Sequence, residues 1–323
     1  MLKNKLFKDF QPTDHAWRSA LLPLIIMVGI LSILSPNFFT TSNITNILQQ
    51  TATYALLSIG MTFVIITGGI DLSQGSLLPI ICIISSVVLE KTGSVFLAIF
   101  CGLLFGALSG LFSGVLIAYV NIPPFIMTMG MMNVFRGAAL LLTDAAAVSV
   151  NSTSFRFFGT GKIAGIPVPV FVFVGVAAIA SLVLACTSTG RAIYAVGSNQ
   201  EAAQLSGVNV KAAKIKAYVF SGLCVAIGSI VYLARLGSAQ PIAGQSFEME
   251  AVAATIIGGT SIVGGEGGVV GSVLGAIVMS VIRNGMVMLR VSTYWQQVVL
   301  GIIVISAVII DLIRKKMGAN RNN

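Results

Sequence analysis

Charged side chains are scarce in this chain. Asp, Glu, Lys and Arg together make up 9% of its 323 residues, against roughly 25% in ordinary water-soluble domains. So few charges cannot cover a water-facing surface, which excludes a soluble globular fold. Histidine is nearly absent as well: the single one, His15, sits in the N-terminal tail. No Ser–His pair and no histidine-built metal site can therefore form in the body of the chain, and no metal is expected. The four cysteines, Cys82, Cys101, Cys186 and Cys224, lie in apolar context without metal or disulfide spacing. They read as small buried hydrophobes. A working phosphate loop is missing too. The run Gly264-Gly265-Glu266-Gly267-Gly268-Val269-Val270-Gly271-Ser272 has the glycines but no lysine before its serine. It also stands between two apolar runs instead of between a strand and a helix. The chain has no visible means of hydrolysing ATP, and it is expected to be neither an enzyme nor the holder of a cofactor.

What is present is apolar and helix-length. Hydrophobic residues make up 56% of the chain and mean hydropathy is +0.97. No charged residue occurs in 19–70, 92–135, 163–190, 217–234 or 291–310. Each gap holds one or more runs of about 20 residues, enough for a helix to cross a hydrocarbon core of roughly 30 Å. Strands of a barrel would alternate polar and apolar residues, and these runs do not. The chain reads as an all-α polytopic integral membrane protein. Ten spans are expected, at 20–34, 44–66, 77–89, 95–119, 125–142, 168–187, 217–236, 251–263, 269–289 and 295–313. They lie between an N-terminal tail, 1–19, and a C-terminal tail, 314–323. The first run is long and lacks a small-residue cleavage pattern, so it reads as an uncleaved span.

The net charge of +9 does not indicate nucleic-acid binding, because of where the basic residues fall. They cluster in the N-terminal tail (Lys3, Lys5, Lys8, Arg18), in 187–216 (Arg191, Lys211, Lys214, Lys216) and at the C-terminus (Arg314, Lys315, Lys316, Arg321). Such clusters mark segments retained in the cytoplasm. Both termini and 187–216 are thus expected on the cytoplasmic side, which requires even numbers of spans before and after the central segment. Six and four satisfy this.

Local signals refine the picture. Thr40-Thr41-Ser42-Asn43 has the residues of a helix N-cap. Gly102, Gly106, Gly110 and Gly114 recur every four residues and would let a neighbouring helix approach closely. Two glycine pairs, Gly68-Gly69 and Gly258-Gly259, each end an apolar helix before a polar turn. If matched, they are broken helices of the kind that mark a transport pathway. Gly68, Gly69, Asp71, Ser73, Gly258, Gly259, Thr260 and Ser261 are the candidate pathway or gate residues. Asp71 or Ser73 can alternatively N-cap the third span. Arg136 and Arg283 are expected to snorkel towards a membrane face. Glu248 and Glu250, with Arg235, are expected at outer helix ends, as solvated caps or as a docking site for an external protein. Tyr294 and Trp295 suit an interfacial anchor. No ladder of intramembrane acids appears, so an ion-driven carrier has little to work with.

The long polar interruption from Gly190 to Val210 carries the most specific pattern: Glu201-Ala202-Ala203 with Gly207 four positions on. It resembles the cytoplasmic motif of ABC-importer permeases. Ser35-Pro36-Asn37-Phe38-Phe39-Thr40, Gly69-Ile70-Asp71-Leu72-Ser73-Gln74-Gly75-Ser76, Ser238-Ala239-Gln240-Pro241 and Ile257-Gly258-Gly259-Thr260-Ser261 with Gly264-Gly265 extend the likeness in collinear order. From about residue 30 to 312 the chain is similar to the ribose-type branch of the sugar ABC permeases. The Ile-x-Leu-Pro tail of the general motif is absent after Gly207. The resemblance implies a multi-pass permease of the bacterial cytoplasmic (inner) membrane, working as a homodimer surrounded by membrane lipid. It also implies an ATP-binding subunit below and a periplasmic sugar-binding protein above. It implies that Asn199, Glu201, Ala202, Ala203, Leu205, Ser206 and Gly207 form the helix that docks on the ATP-binding subunit. Ribose is the implied cargo; xylose, galactofuranose or furanose-like signalling molecules are the alternatives within the family.

Overall fold

The computed structural model describes the backbone of residues 18–321 and the side chains of residues 20–313. His15 and the basic residues of the two tails lie outside the described side chains. The chain is helical apart from two ribbons of two-residue strands. Helix α1 (Arg18–Leu34) is followed by α2 (Thr41–Ile66), capped by Thr40 accepting from Asn43 N–H as its sequence suggests. Next come α3 (Gln74–Thr92) and α4 (Val95–Val115), the latter continued by a π-helical turn, Leu116–Val120. After α5 (Pro124–Thr143) a segment holds β1 (Val148–Ser149), α6 (Thr153–Thr160), β2 (Lys162–Ile163) and β3 (Ile166–Pro167). Then α7 (Val168–Cys186) leads to two short helices, α8 (Ser188–Ser198) and α9 (Gln200–Leu205). The last part comprises α10 (Val210–Leu236), β4 (Ser238–Ala239), α11 (Phe247–Ile257), α12 (Val269–Met288) and α13 (Thr293–Arg321). β1 pairs with β4 and β2 with β3, both antiparallel.

Among the described residues, eight helices are long and apolar enough to cross a membrane: α2, α3, α4, α5, α7, α10, α12 and α13. The chain is an all-α polytopic membrane protein. Burial sorts these helices. α2 is enclosed along nearly its whole length, with α10, α12, α11 and α7 around it, whereas α4, α5, α7 and α13 turn apolar faces outward. That arrangement suits lipid as the outer solvent.

The glycine stripe of α4 does what its spacing predicts. A Cβ on Gly106 would crowd Ala226, and one on Gly114 would lie 2.9 Å from Ile215 Cα, both on α10. A Cβ on Gly110 would overlap the Tyr218 carbonyl, and Gly222 of α10 meets Gly106 in turn. The two backbones approach closely because α4 presents glycines along the crossing and α10 sets Gly222 against Gly106.

The eighth expected span needs correction. Helix α11 has 11 residues, about 16 Å, and cannot cross a core of roughly 30 Å alone. Its approach explains this. Gln74 Nε2 donates to Ser221 Oγ (2.9 Å) and Cys82 Sγ to the Ser229 carbonyl (3.4 Å), so α3 and α10 run side by side in one direction. Yet Gly244, beyond the end of α10, packs on Gly75 at the start of α3. The segment 237–246 therefore turns back alongside α10 by about 20 Å before α11 begins. An irregular segment and a short helix thus stand where a single span was expected, an arrangement a membrane tolerates only where protein surrounds the backbone.

Candidate functional site

Three glycine-bearing segments meet beside the central helix α2. The Gly265 N–H donates to the Ile66 carbonyl at 2.9 Å, joining the turn after α11 to the end of α2. Gly68 (φ +80°) and Gly264 (φ +94°) take left-handed conformations there, and a Cβ on Gly264 would lie 3.0 Å from Gly68 N. The end of α8 wedges between them: a Cβ on Gly197 would overlap the Ile66 carbonyl, and Ser198 sits against Gly265. Tyr194 of α8 donates its hydroxyl to the Gly267 carbonyl at 2.7 Å, and burial pushes its phenol up to about 12. The two glycine breaks and the Gly190–Val210 interruption thus form one junction.

Below the junction stands α9. Asn199 caps it, its Oδ1 accepting from Ala202 N–H at 2.9 Å. Gly207 ends it at φ +80°, with Gly207 N–H bonded to Gln204 O and Val208 N–H to Ala203 O, both 3.0 Å. The left-handed position is one that glycine takes without steric cost. Ala203 faces inward, 5% exposed, while Leu205 is 85% exposed; Glu201, Ala202, Ser206 and Gly207 are also exposed. Ala202 and Ala203 therefore lie on different faces, as neighbours about 100° apart on a helix do.

Above the junction, Asp71 is buried with Ser73 in the 67–73 turn. Asp71 Oδ1 accepts from Ser73 N–H (3.1 Å) and Ser73 Oγ (2.6 Å), and its Oδ2 accepts from Ser221 Oγ of α10 (2.6 Å). Ser73 occupies the cap position of α3 but gives its hydroxyl to Asp71, so neither side chain caps the helix. The carboxylate is satisfied across the core. The second turn has its own carboxylate: Asp311 of α13 accepts from Ser261 Oγ (3.2 Å) and Ile262 N–H (3.1 Å). Thr260, also buried, lies 3.5 Å from Ser272 Oγ, which accepts from Thr62 Oγ1 of α2 at 2.6 Å. Gly258 lies against Gly271 of α12, and Gly259 takes φ +91°.

The three docking candidates do not share a surface. Glu248 is 8% and Glu250 1% exposed, against the expectation of solvated caps. Both sit in the first turn of α11, where the helix dipole favours acids. Glu250 forms an ion pair with Arg283 of α12, whose guanidinium lies over the rings of Phe247 (5.4 Å) and Tyr54 (5.9 Å). Glu248 lies against Gly75, within electrostatic reach of Arg136, and Arg136 Nη1 donates to the Ala243 carbonyl at 2.8 Å. Each arginine expected to snorkel has an internal partner: Arg283 the Glu250 carboxylate and Arg136 the Ala243 carbonyl. Arg235 is half-buried at the end of α10. Sequence reasoning missed Ser221, Asp311, Tyr194 and Gly197. Asp311 and Ser221 carried a signal, each being a polar residue inside an apolar run.

Residues 43–308 match the family described as branched-chain amino acid transport system / permease component. The ribose import permease protein RbsC of Escherichia coli K12 is 40% identical over 303 residues, covering 92% of this chain and 94% of that protein. RbsC of Bacillus subtilis 168 is 41% identical over 297 residues, covering 91% and 92%. The D-allose transport system permease protein AlsC of E. coli K12 is 39% identical over 295 residues, covering 91% and 90%. No solved structure matches the chain. With the family pattern spanning its helices from α2 to α13, and relatives aligned along nine-tenths of its length, the chain belongs to this family of membrane permease components.

Proposed function

We propose that this chain is the membrane-spanning permease subunit of a bacterial inner-membrane ABC importer for a monosaccharide, most specifically ribose. The observation that carries the reading is the junction: α8, which leads into α9, packs its Gly197–Ser198 end against the turns that follow both α2 and α11 and bonds the second through Tyr194. A chain without a nucleotide site needs such a place for an outside subunit to act. ATP hydrolysis belongs to a separate subunit docking on α9, and a sugar-binding protein delivers cargo from outside. The names of its relatives supply the cargo: ribose for RbsC at 40–41% identity and allose for AlsC. The family description supplies a second reading, a branched-chain amino acid, and the sugar permeases aligned over nine-tenths of the chain favour the first.

The topology that fits is ten crossings: the eight long helices, α1, and the composite of 237–246 with α11. Both tails, 1–19 and 314–323, then share the cytoplasmic side with 187–216, as the basic clusters require. Two copies enclose the pathway, with Asp71, Ser73 and the turn at 258–261 as its gate. Of the docking candidates, only Arg235 keeps accessible surface.

The test is reconstitution with the ATP-binding subunit and the binding protein, following labelled ribose into vesicles. Nothing lies within 4 Å of a Cβ at Gly207, so Gly207→Trp keeps the fold apart from about 1 kcal/mol of backbone strain. It should abolish ribose uptake and binding-protein-stimulated ATP hydrolysis together. Full uptake by that variant would end the docking reading. Uptake of leucine and not ribose would select the second cargo.

A further inference from the structure

A cavity of about 460 Å³ opens between α8 and the first turns of α10. Its floor is apolar, built from Ala192 and Ala195 of α8 with Ala212 of α10. Arg191 and Lys216 stand at its rim, both exposed, and Lys216 Nζ reaches Thr189 Oγ1 at 3.3 Å. No acidic residue lines it, and among the described residues neither cation pairs with a carboxylate. Its level follows from the chain. Ser188 comes two residues after the end of α7, and Lys216 immediately precedes the charge-free run 217–234. The rim therefore lies where headgroups meet water, with acyl chains beside α7.

We propose that this cavity binds the phosphate-bearing headgroup of an anionic phospholipid, whose charge pairs Arg191 with Lys216 and so ties α8 to α10. Each condition for such a site is met: two uncompensated cations, an apolar floor, and a place at the cytoplasmic face between helices. The bound lipid fixes the angle at which α8 carries α9, making engagement of the ATP-binding subunit sensitive to lipid composition. The site rests on the proposed cytoplasmic placement of 187–216, but its binding is measurable without sugar or nucleotide.

The experiment uses full-length permease in phosphatidylcholine nanodiscs titrated with fluorescent phosphatidylglycerol. About 1 kcal/mol per cation near an anionic surface corresponds to roughly fivefold in affinity. Arg191→Gln and Lys216→Gln should each weaken retention about fivefold and the double variant about thirtyfold. Lys211→Gln, a neighbouring cation stacked on Tyr119 outside the cavity, should retain lipid as the unaltered chain does. Three results overturn the proposal. Equal loss on Lys211→Gln would mean general surface charge. Displacement of the lipid by inorganic phosphate would mean a site for free anions. Displacement by the ATP-binding subunit would give the cavity to the subunit interface. Failure of ribose uptake with lipid retention intact would count against the cargo alone.

Discussion

The ion pair between Glu250 and Arg283 allows a quantitative prediction, because its two ends differ in burial. Glu250 is 1% exposed and the Arg283 side chain 29%. Two unit charges about 4 Å apart interact by about 4 kcal/mol at an effective dielectric constant of about 20. Partial exposure of the arginine reduces this to about 2–3 kcal/mol by solvent screening. Removing one partner costs more than the pair's net worth, since the other is left buried without compensation. Arg283→Met strands the enclosed carboxylate and should destabilise by about 3–5 kcal/mol. Glu250→Gln strands a cation that can partly turn to solvent, and should cost about 2 kcal/mol. The double variant removes both charges at once and should be no worse than Arg283→Met alone, giving a coupling near 2 kcal/mol. Reversible SDS unfolding of the purified protein measures all four corners of the cycle. Additive single effects, with coupling under about 0.5 kcal/mol, would refute the pairing. Equal cost for the two singles would refute the burial argument.

Other positions give simpler expectations. Ser221→Ala removes the donor that Asp71 Oδ2 has among the described residues and should cost about 1–3 kcal/mol, read by the same unfolding assay; no change would mean that the carboxylate finds another partner. Gly106→Val drives a branched side chain into the α10 backbone at Gly222. It should destabilise by at least about 1–3 kcal/mol, whereas Gly130→Val, with open space around it, should be nearly neutral in the same assay.

How much of this was legible in the sequence depended on whether a feature was local. The N-cap at Thr40 and the glycine stripe of α4 depend on residues a few positions apart, and spacing revealed them. The half-helix α11 was misplaced because hydropathy reports how apolar a run is and not where its backbone turns. Residues 251–263 are apolar enough, but the helix covers 247–257 and follows a segment that turns back along α10. Glu248 and Glu250 were read as solvated for the same reason, since Gly75, against which Glu248 lies, and Arg283, which pairs with Glu250, come from α3 and α12. Asp71 was located correctly within its turn, yet its decisive contact, Ser221, lies 150 residues away. No periodicity encodes such a distance. The meeting of Gly197 with Ile66 leaves no side-chain pattern, because it is made by backbone.

That last contact has a wider consequence. A seam built from carbonyls, N–H groups and side-chain-free positions has the same chemistry whatever the molecule passing above it. It can relay a displacement, but it cannot distinguish one cargo from another. Under the proposed transport role, selectivity resides elsewhere, in the upper pathway or in the protein that delivers the sugar. The lower half of the molecule would then be an interchangeable drive, and changing cargo need not disturb it.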